Sequence, residues 1–150
     1  MQVGLATFME AAMLEYEIEK ISQHDTHEVY KLFHTEIKDP KLLKNIKDHI
    51  RHGIAYKMVV DGKIEAAMLA KKFPTHVSLS YYIIAEQKRK KLFSLFFFLF
   101  CVKKMQGLPI YIKANKNFSD YEQYFEKCND GVYKFKGLRE DASWAELLKR

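Results

Sequence analysis

The stretch that decides the fold reads VSLSYYIIAEQKRKKLFSLFFFLFCV and runs from Val77 to Val102. It opens with Val77–Ile84, whose β-branched and aromatic residues predict a strand. A burst of charge follows at Gln87–Lys91, and the apolar run Leu92–Val102 comes directly after it. This run is shorter than the roughly 20 residues of a membrane-spanning helix, so it predicts a buried helix and no membrane segment.

Upstream of this stretch, the pattern predicts one strand and two helices. Leu14–Ile21 alternates in part between apolar and charged residues, which is typical of a half-buried strand. Asp25–Glu28 has the spacing of a capping box, and apolar residues then recur at helical spacing as far as Ile37. Asp39-Pro40 is a second helix start, and the apolar stripe of Leu42–Ile50 follows it.

Between these helices and the charged turn, the sequence predicts a meander of antiparallel strands. Ala55–Val60 is strand-like, Asp61-Gly62 is a strong tight-turn dipeptide, and Lys63–Ala70 runs back. Pro74 interrupts the pattern before Val77–Ile84, the third strand of the meander.

Downstream of the apolar helix, the elements are shorter. Pro109–Lys113 predicts a strand, Tyr121–Cys128 predicts a helix, Asn129-Asp130-Gly131 predicts a turn, and Val132–Phe135 predicts a last strand. The complete order is β-α-α-β-β-β-α-β-α-β, which indicates a mixed α/β sandwich and not a doubly wound repeat.

Composition limits the class of protein without selecting a function. The chain has 150 residues, 48% of them hydrophobic, so we predict one domain over 1–150 with 1–13 as an N-terminal extension. Its two cysteines exclude a disulfide scaffold and a four-cysteine zinc site, and they favour a reducing, cytoplasmic location. The formal charge of +6 makes an anionic partner plausible.

The strand, charged turn and helix resemble the central motif of the GNAT superfamily of acyl-CoA-dependent N-acyltransferases. That family has an apolar strand, then Pro/Ala-Glu, a variable residue, and Arg-Gly-x-Gly-Ile/Leu-Gly-Ser before a helix. Here Tyr81–Gln87 supplies the strand and its lead-in, and Lys88–Ser94 occupies the loop. Lys88 keeps a positive charge at the family's Arg/Gln position. Three residues match in register: Glu86, Leu92 and Ser94.

The resemblance extends from about Leu14 to Phe135 and implies both a fold and a function. It implies a GNAT-like α/β fold, with a mixed, mainly antiparallel central sheet flanked by helices. It implies an N-acetyltransferase in which an acceptor amine attacks the thioester of acetyl-CoA. The backbone of Ile83 and Ile84 would pair with the pantetheine arm, and Tyr124 would be the fallback acid. Seven residues would hold the pyrophosphate: Lys88, Arg89, Lys90, Lys91, Leu92, Phe93 and Ser94.

Two departures from the family motif concern the phosphate-binding loop and the catalytic acid. All three glycine positions of the loop carry side chains, those of Arg89, Lys91 and Phe93, where the family's backbone approaches the phosphates closely. Phe125 stands where many family members have a tyrosine acid, because Tyr124-Phe125-Glu126-Lys127 echoes the family's Leu/Tyr-Tyr-Glu-Lys ending. These departures favour a second hypothesis, a GNAT-like structural or interaction subunit without catalysis.

The apolar helix also predicts a protein partner. Apart from Ser94, the run Leu92–Val102 shows no polar stripe, so its outer face must be covered by the rest of the chain or by another subunit. A homo-oligomer or another protein partner assembled through this helix is therefore a hypothesis. A nucleic-acid contact at Lys88–Lys91 is a less favoured one. Three histidines near the first helix lack a carboxylate or cysteine to complete a ligand set, so no metal site is predicted.

Overall fold

The computed structural model describes residues 17–88, 92–105, 108–113, 125–129 and 131–136. Within these ranges the chain forms seven strands and three helices. Short 3-10 turns at Gln23–Asp25 and Glu86–Lys88 lie before α1 and between β4 and α3. The bounds are β1 Glu17–Lys20, α1 Thr26–His34, α2 Leu42–His52, β2 Ile54–Val60, β3 Lys63–Lys72, β4 Val77–Ile84, α3 Leu92–Lys104, β5 Ile110–Lys113, β6 Phe125–Asn129 and β7 Val132–Phe135.

The strands of the described residues form one sheet in the order β1-β2-β3-β4-β5-β7-β6. Every neighbouring pair is antiparallel except β4 and β5, which run parallel. A parallel pair needs a crossover connection, and α3 lies between these two strands in the chain. The predicted mixed, mainly antiparallel sheet flanked by helices is confirmed.

The β2–β3 hairpin turns at the predicted dipeptide. Asp61 has φ 51° and Gly62 has φ 76°, so both central residues have the positive φ of a type I′ turn. Glycine adopts that conformation without steric cost, and aspartate tolerates it better than most residues. This local chemistry sets the register of the two central strands.

Strand β3 is the centre of the core, because both of its faces are buried. Ala66, Met68 and Ala70 contact the cluster that includes α3. Ala67 and Leu69 contact the cluster on the opposite face, which includes α1 and α2. Since successive residues of a strand point to opposite faces, the apolar run of β3 requires helices on both sides of the sheet.

The approach to α1 differs in detail from the predicted capping box. The Asp25 carboxylate accepts hydrogen bonds from the backbone N–H of Ser22 (2.8 Å) and its hydroxyl (3.1 Å), so the box lies one turn earlier than predicted. Glu28, the predicted partner in the box, instead accepts a bond from the backbone N–H of Ile64 at 2.8 Å. A long-range backbone donor in the β2–β3 hairpin thus replaces the local one. In α2, the predicted helix is confirmed, and Gly53 follows its last residue.

The part of α3 whose side chains are described, from Phe97 onward, is covered largely by its own chain. Among its described side chains, Phe100 is half-buried, and five others are buried: Phe97, Phe98, Leu99, Cys101 and Val102. The ring of Phe98 packs against Phe125 and Phe135 of the last two strands. These residues are not available to a partner, and the hypothesised contact through Leu92–Val102 stays a prediction. In the described ranges, no helix is both long enough and apolar enough to cross a membrane.

The predicted helix Tyr121–Cys128 is wrong where the structure describes it, because Phe125–Asn129 is strand β6. Phe125 pairs with Phe135 of β7, and their ring centroids lie 5.4 Å apart. Burial of one face against β7 and α3 decides this segment, and such long-range contacts override a local helical pattern.

A truncation in α3 tests how much of the stability comes from this packing. We expect Phe97→Ala to lower the free energy of unfolding by about 3–5 kcal/mol, because a fully buried phenyl ring would leave a cavity. The measurement is urea denaturation followed by circular dichroism.

The control for that truncation is Leu43→Ala, since Leu43 of α2 is 37% exposed. We expect it to change the free energy of unfolding by no more than about 0.5 kcal/mol. Equal losses in the two variants would contradict the central position of Phe97.

Candidate functional site

The candidate site lies where the pairing of β4 with β5 ends. The two strands pair over Val77–Leu79 of β4 and Ile110–Ile112 of β5, and β5 ends one residue later at Lys113. β4 continues to Ile84 and keeps its pairing with β3. Ser80 is therefore the first residue of β4 that does not pair with β5.

A β-bulge occurs at this same point. Leu69 of β3 pairs with Tyr81, and the next residue, Ala70, pairs with Leu79, so Ser80 is an extra residue in β4. A bulge interrupts the alternation of side chains and redirects them. Leu79 packs in the cluster with α3, while Ser80 and Tyr81 both contact residues of α2. The hydroxyl of Ser80, which is exposed as a residue, thus lies on the α2 face of the sheet.

Helix α2 supplies the group that faces Ser80. Leu42, Ile46 and His49 are its buried residues, and their spacing places them on one stripe of the helix. His49 is only 4% exposed, so its ring nitrogens need hydrogen-bond partners. Nδ1 lies 2.6 Å from the backbone oxygen of Asn45, and Nε2 lies 2.8 Å from Oγ of Ser80.

These two contacts define the tautomer of the neutral His49 ring. A backbone oxygen can only accept, so Nδ1 carries the proton and donates to Asn45. Nε2 is then the acceptor, and the Ser80 hydroxyl donates to it. Burial lowers the pKa of His49 below its ordinary value of 6.5, which favours the neutral ring. The hydrogen bond to Asn45 acts in the opposite direction.

Tyr81 completes the surroundings of His49 on the strand side. Its hydroxyl accepts a 3.0 Å hydrogen bond from Nδ2 of Asn45, and its ring meets the His49 ring edge to face at 5.6 Å. The groups in direct contact with His49 are therefore neutral. Asp48 and Lys71 form an exposed ion pair nearby (3.1 Å), and their charges act on the pKa of His49 in opposite directions.

The predicted pantetheine-contacting residues lie deep in the sheet. Ile83 is 2% exposed and packs with the α1–α2 cluster, while Ile84 is 5% exposed and packs with the α3 cluster. Their backbones pair with Ala67 and Ala66 of β3. Only main-chain atoms of these two isoleucines could therefore contact a ligand, as the prediction requires.

The predicted phosphate-binding run connects β4 to α3. Lys88 ends the 3-10 turn, and Leu92, Phe93 and Ser94 are the first three residues of α3. The order of strand, turn and helix therefore agrees with the sequence prediction. Arg89, Lys90 and Lys91 lie outside the described residues, as does the predicted acid Tyr124.

A buried carboxylate holds the start of this turn. Glu65 of β3 is 6% exposed, and its Oε2 accepts a 3.0 Å hydrogen bond from Nε2 of Gln87. Its backbone oxygen accepts from the N–H of Ala85 at 2.8 Å. Glu65 therefore holds the chain at Ala85 and Gln87, just before the cationic run in the sequence.

Sequence reasoning missed the His49–Ser80 contact. The stripe of α2 was visible in the sequence, and a histidine on it was a signal for a polar partner inside the fold. The partner itself could not be found, because the bulge that turns Ser80 toward α2 depends on the β3–β4 register. Within the described ranges, no cluster of three or more His, Cys, Asp or Glu side chains could hold a metal ion.

Several acetyltransferases of solved structure superpose on this chain. A GNAT-family acetyltransferase from Bacillus cereus superposes with a TM-score of 0.65 at 17% identity, over 83% of this chain and 99% of the other. Ard1 from Thermoplasma volcanium gives 0.64 at 16% identity, over 80% and 95%. The chain has the GNAT fold.

A third GNAT-fold structure contains the coenzyme. The PaiA N-acetyltransferase from Thermoplasma acidophilum, in complex with coenzyme A, superposes with a TM-score of 0.60 at 15% identity, over 79% of this chain and 96% of the other. No protein-family model matches the sequence, and no curated protein matches it. At these identities the likeness is one of fold alone.

The pKa of His49 predicts a pH dependence of stability. Because the folded-state pKa is lowered, the unfolded chain takes up a proton first as the pH falls through 6.5. This contribution to stability is present above pH 6.5 and is lost below it. We expect His49→Gln to reduce the difference between urea midpoints at about pH 7.5 and about pH 5.5.

The matched control is His52→Gln on the same helix, because His52 is exposed and should leave the difference unchanged. The lowered pKa values of Asp25 and Asp48 do not interfere, since their ordinary value is already 3.8. If His49→Gln showed the full wild-type difference, the buried neutral histidine would not be its source.

Proposed function

We propose that the chain binds an acyl-coenzyme A, with acetyl-CoA as the leading candidate, and transfers its acyl group to an amine. The observation that carries the proposal is the end of the β4–β5 pairing at Leu79 in a GNAT fold, beyond which β4 continues to Ile84 before the turn that leads into α3. Ligands in α/β sheets commonly bind at the carboxyl ends of parallel strands. When bound, the coenzyme would supply an activated thioester carbonyl.

The residues at the start of α3 fit an anionic group. The first amides of a helix have no intrahelical acceptor, and the helix dipole favours negative charge there. Four consecutive cations, Lys88–Lys91, precede this terminus, and α3 has 13 residues. Without loop glycines, we expect the cationic side chains to contribute more of the phosphate contacts than backbone amides do.

The other roles follow from the resemblance. Backbone groups of Ile83 and Ile84 would contact the pantetheine arm, and Tyr124 would protonate the leaving thiolate. Both isoleucine side chains are buried on opposite faces of the sheet, which leaves the main chain as the contacting part. The acceptor amine would approach on the α2 side, where Ser80 is exposed.

The alternative is a GNAT-fold subunit without catalysis, and the missing loop glycines favour it. Phe125 favours it as well, because a phenyl ring at the family's tyrosine position has no proton to give, and here the ring lies in the core with Phe98. The two proposals differ in one measurable property, since a purely structural subunit has no need to bind the coenzyme.

Isothermal titration calorimetry with acetyl-CoA tests the proposed function. We expect a dissociation constant in the micromolar range for the wild-type chain. The double variant Arg89→Glu/Lys90→Glu should weaken binding by at least about tenfold, because a hydrogen bond to a charged group contributes about 1.5–3 kcal/mol. Raised salt should weaken wild-type binding in the same direction.

The matched control is Lys44→Glu/Lys47→Glu, which makes the same change of charge on the exposed face of α2. We expect it to bind acetyl-CoA with the wild-type constant. Absence of heat at millimolar acetyl-CoA would exclude the proposed function and leave the structural subunit. Equal weakening in both double variants would indicate a general effect of charge and not a phosphate site.

A further inference from the structure

The hydroxyl of an exposed serine donates to a buried, neutral histidine where the β4–β5 pairing ends. Ser80 is exposed as a residue, whereas His49 is only 4% exposed. The 2.8 Å distance between Oγ and Nε2 is that of a direct hydrogen bond. The serine is therefore accessible from solvent, while the acceptor of its hydroxyl proton is shielded.

The orientation of the histidine is fixed by a third group. The Asn45 backbone oxygen lies 2.6 Å from Nδ1 and holds the tautomer in which Nε2 accepts. Tyr81 binds the Asn45 side chain and packs its ring against the imidazole. A nucleophile, a base in hydrogen-bond contact, and a group that orients the base are the geometric elements of an activated hydroxyl.

We propose that Ser80 and His49 form a nucleophile–base pair that takes an acyl group from an activated ester or thioester. Oγ of Ser80 forms a bond to the carbonyl carbon as its proton moves to Nε2 of His49. The carbon–oxygen or carbon–sulfur bond then breaks, and the leaving group takes that proton. Water or an amine then forms a bond to the carbonyl carbon of the Ser80 ester while its proton moves to Nε2 of His49. The bond between that carbon and Oγ breaks, His49 returns the proton to Oγ, and the acid or amide leaves.

The bulge gives the pair its place in the fold. A regular strand would direct Ser80 and Tyr81 to opposite faces, but the extra residue lets both contact α2. Ser80 is also the first residue of β4 beyond its pairing with β5. The proposal that a coenzyme A thioester acylates Ser80 rests on the proposed function. The proposal that a small activated ester acylates Ser80 does not depend on it.

The charged groups near His49 affect its proton affinity only in part. Asp48 precedes it on α2 and raises its pKa, while Lys71 of β3 lowers it, and burial exceeds both effects. From β4 the facing titratable group is Tyr81, at ring contact. His49 is thus neutral and able to accept a proton near pH 7.

A fluorophosphonate probe tests the pair, because it bonds to an activated serine oxygen with loss of fluoride. We expect one adduct per chain, mapped to Ser80 by peptide mass spectrometry. The labelling rate should be constant from about pH 7 to pH 8 and fall at lower pH as His49 gains a proton. No adduct at Ser80, or labelling spread over other hydroxyls, would overturn the proposal.

Three variants separate activation from simple exposure. Ser80→Ala removes the hydroxyl of an exposed residue and should abolish the adduct without unfolding the chain. His49→Gln should slow labelling by at least about 100-fold, the usual contribution of a general base, and circular dichroism checks that it is folded. Ser78→Ala, on the same strand, should label at the wild-type rate. Equal labelling rates in His49→Gln and wild type would show that Ser80 only donates a hydrogen bond to the buried His49 ring and is not activated by it.

A second arm separates this proposal from the proposed function. p-Nitrophenyl acetate should acetylate Ser80 in the wild-type chain and release nitrophenolate in a burst that Ser80→Ala lacks. If this burst occurs while calorimetry detects no binding of acetyl-CoA, the nucleophile–base pair is supported and the coenzyme proposal fails. If acetyl-CoA binds but neither probe modifies Ser80, the coenzyme proposal stands and the nucleophile–base pair is excluded.

Discussion

The fold depends on the burial of β3 on both faces. Its apolar residues alternate between two clusters, one beneath α3 and one beneath α1 and α2. Neither face of the sheet can be left to water, because each carries apolar side chains whose exposure would cost free energy. The β2–β3 turn at Asp61-Gly62 and the two helical layers all serve this one strand, and the candidate site lies one strand away from it.

The site arises where this packed arrangement ends. β4 is held to β3 along its length, while β5 accompanies it only as far as Leu79. The bulge at Ser80 coincides with that point and turns a hydroxyl toward His49 of α2. A histidine in a helix whose other buried residues are apolar is accommodated there because both ring nitrogens have hydrogen-bond partners. The same hydrogen bonds define which nitrogen can accept a proton.

The sequence predicted much of the architecture for local reasons. The Asp61-Gly62 turn, the stripe of α2 and the apolar run of α3 are each encoded within a few residues. β6 was not predicted, because the local pattern of Phe125–Cys128 favours a helix. The ring contacts of Phe125 with Phe135 and Phe98 favour the strand, and they are visible only in the folded chain. The predicted position of the capping box was wrong for a similar reason, because the Glu28 carboxylate accepts a hydrogen bond from the backbone N–H of Ile64, far away in the chain. In the site, the order strand, cationic turn and helix was visible, while the contact between α2 and β4 was not.

The sequence by itself determined the order of elements as far as β5, the cationic turn and the absence of glycines from it, because these are properties of neighbouring residues. Only the tertiary structure decided that β6 is a strand, that the described part of α3 is covered largely by its own chain, and that Ser80 meets His49. Each of these depends on contacts between residues far apart in the chain, such as the 31 positions between His49 and Ser80. Burial and strand register create those contacts, and no local pattern contains them.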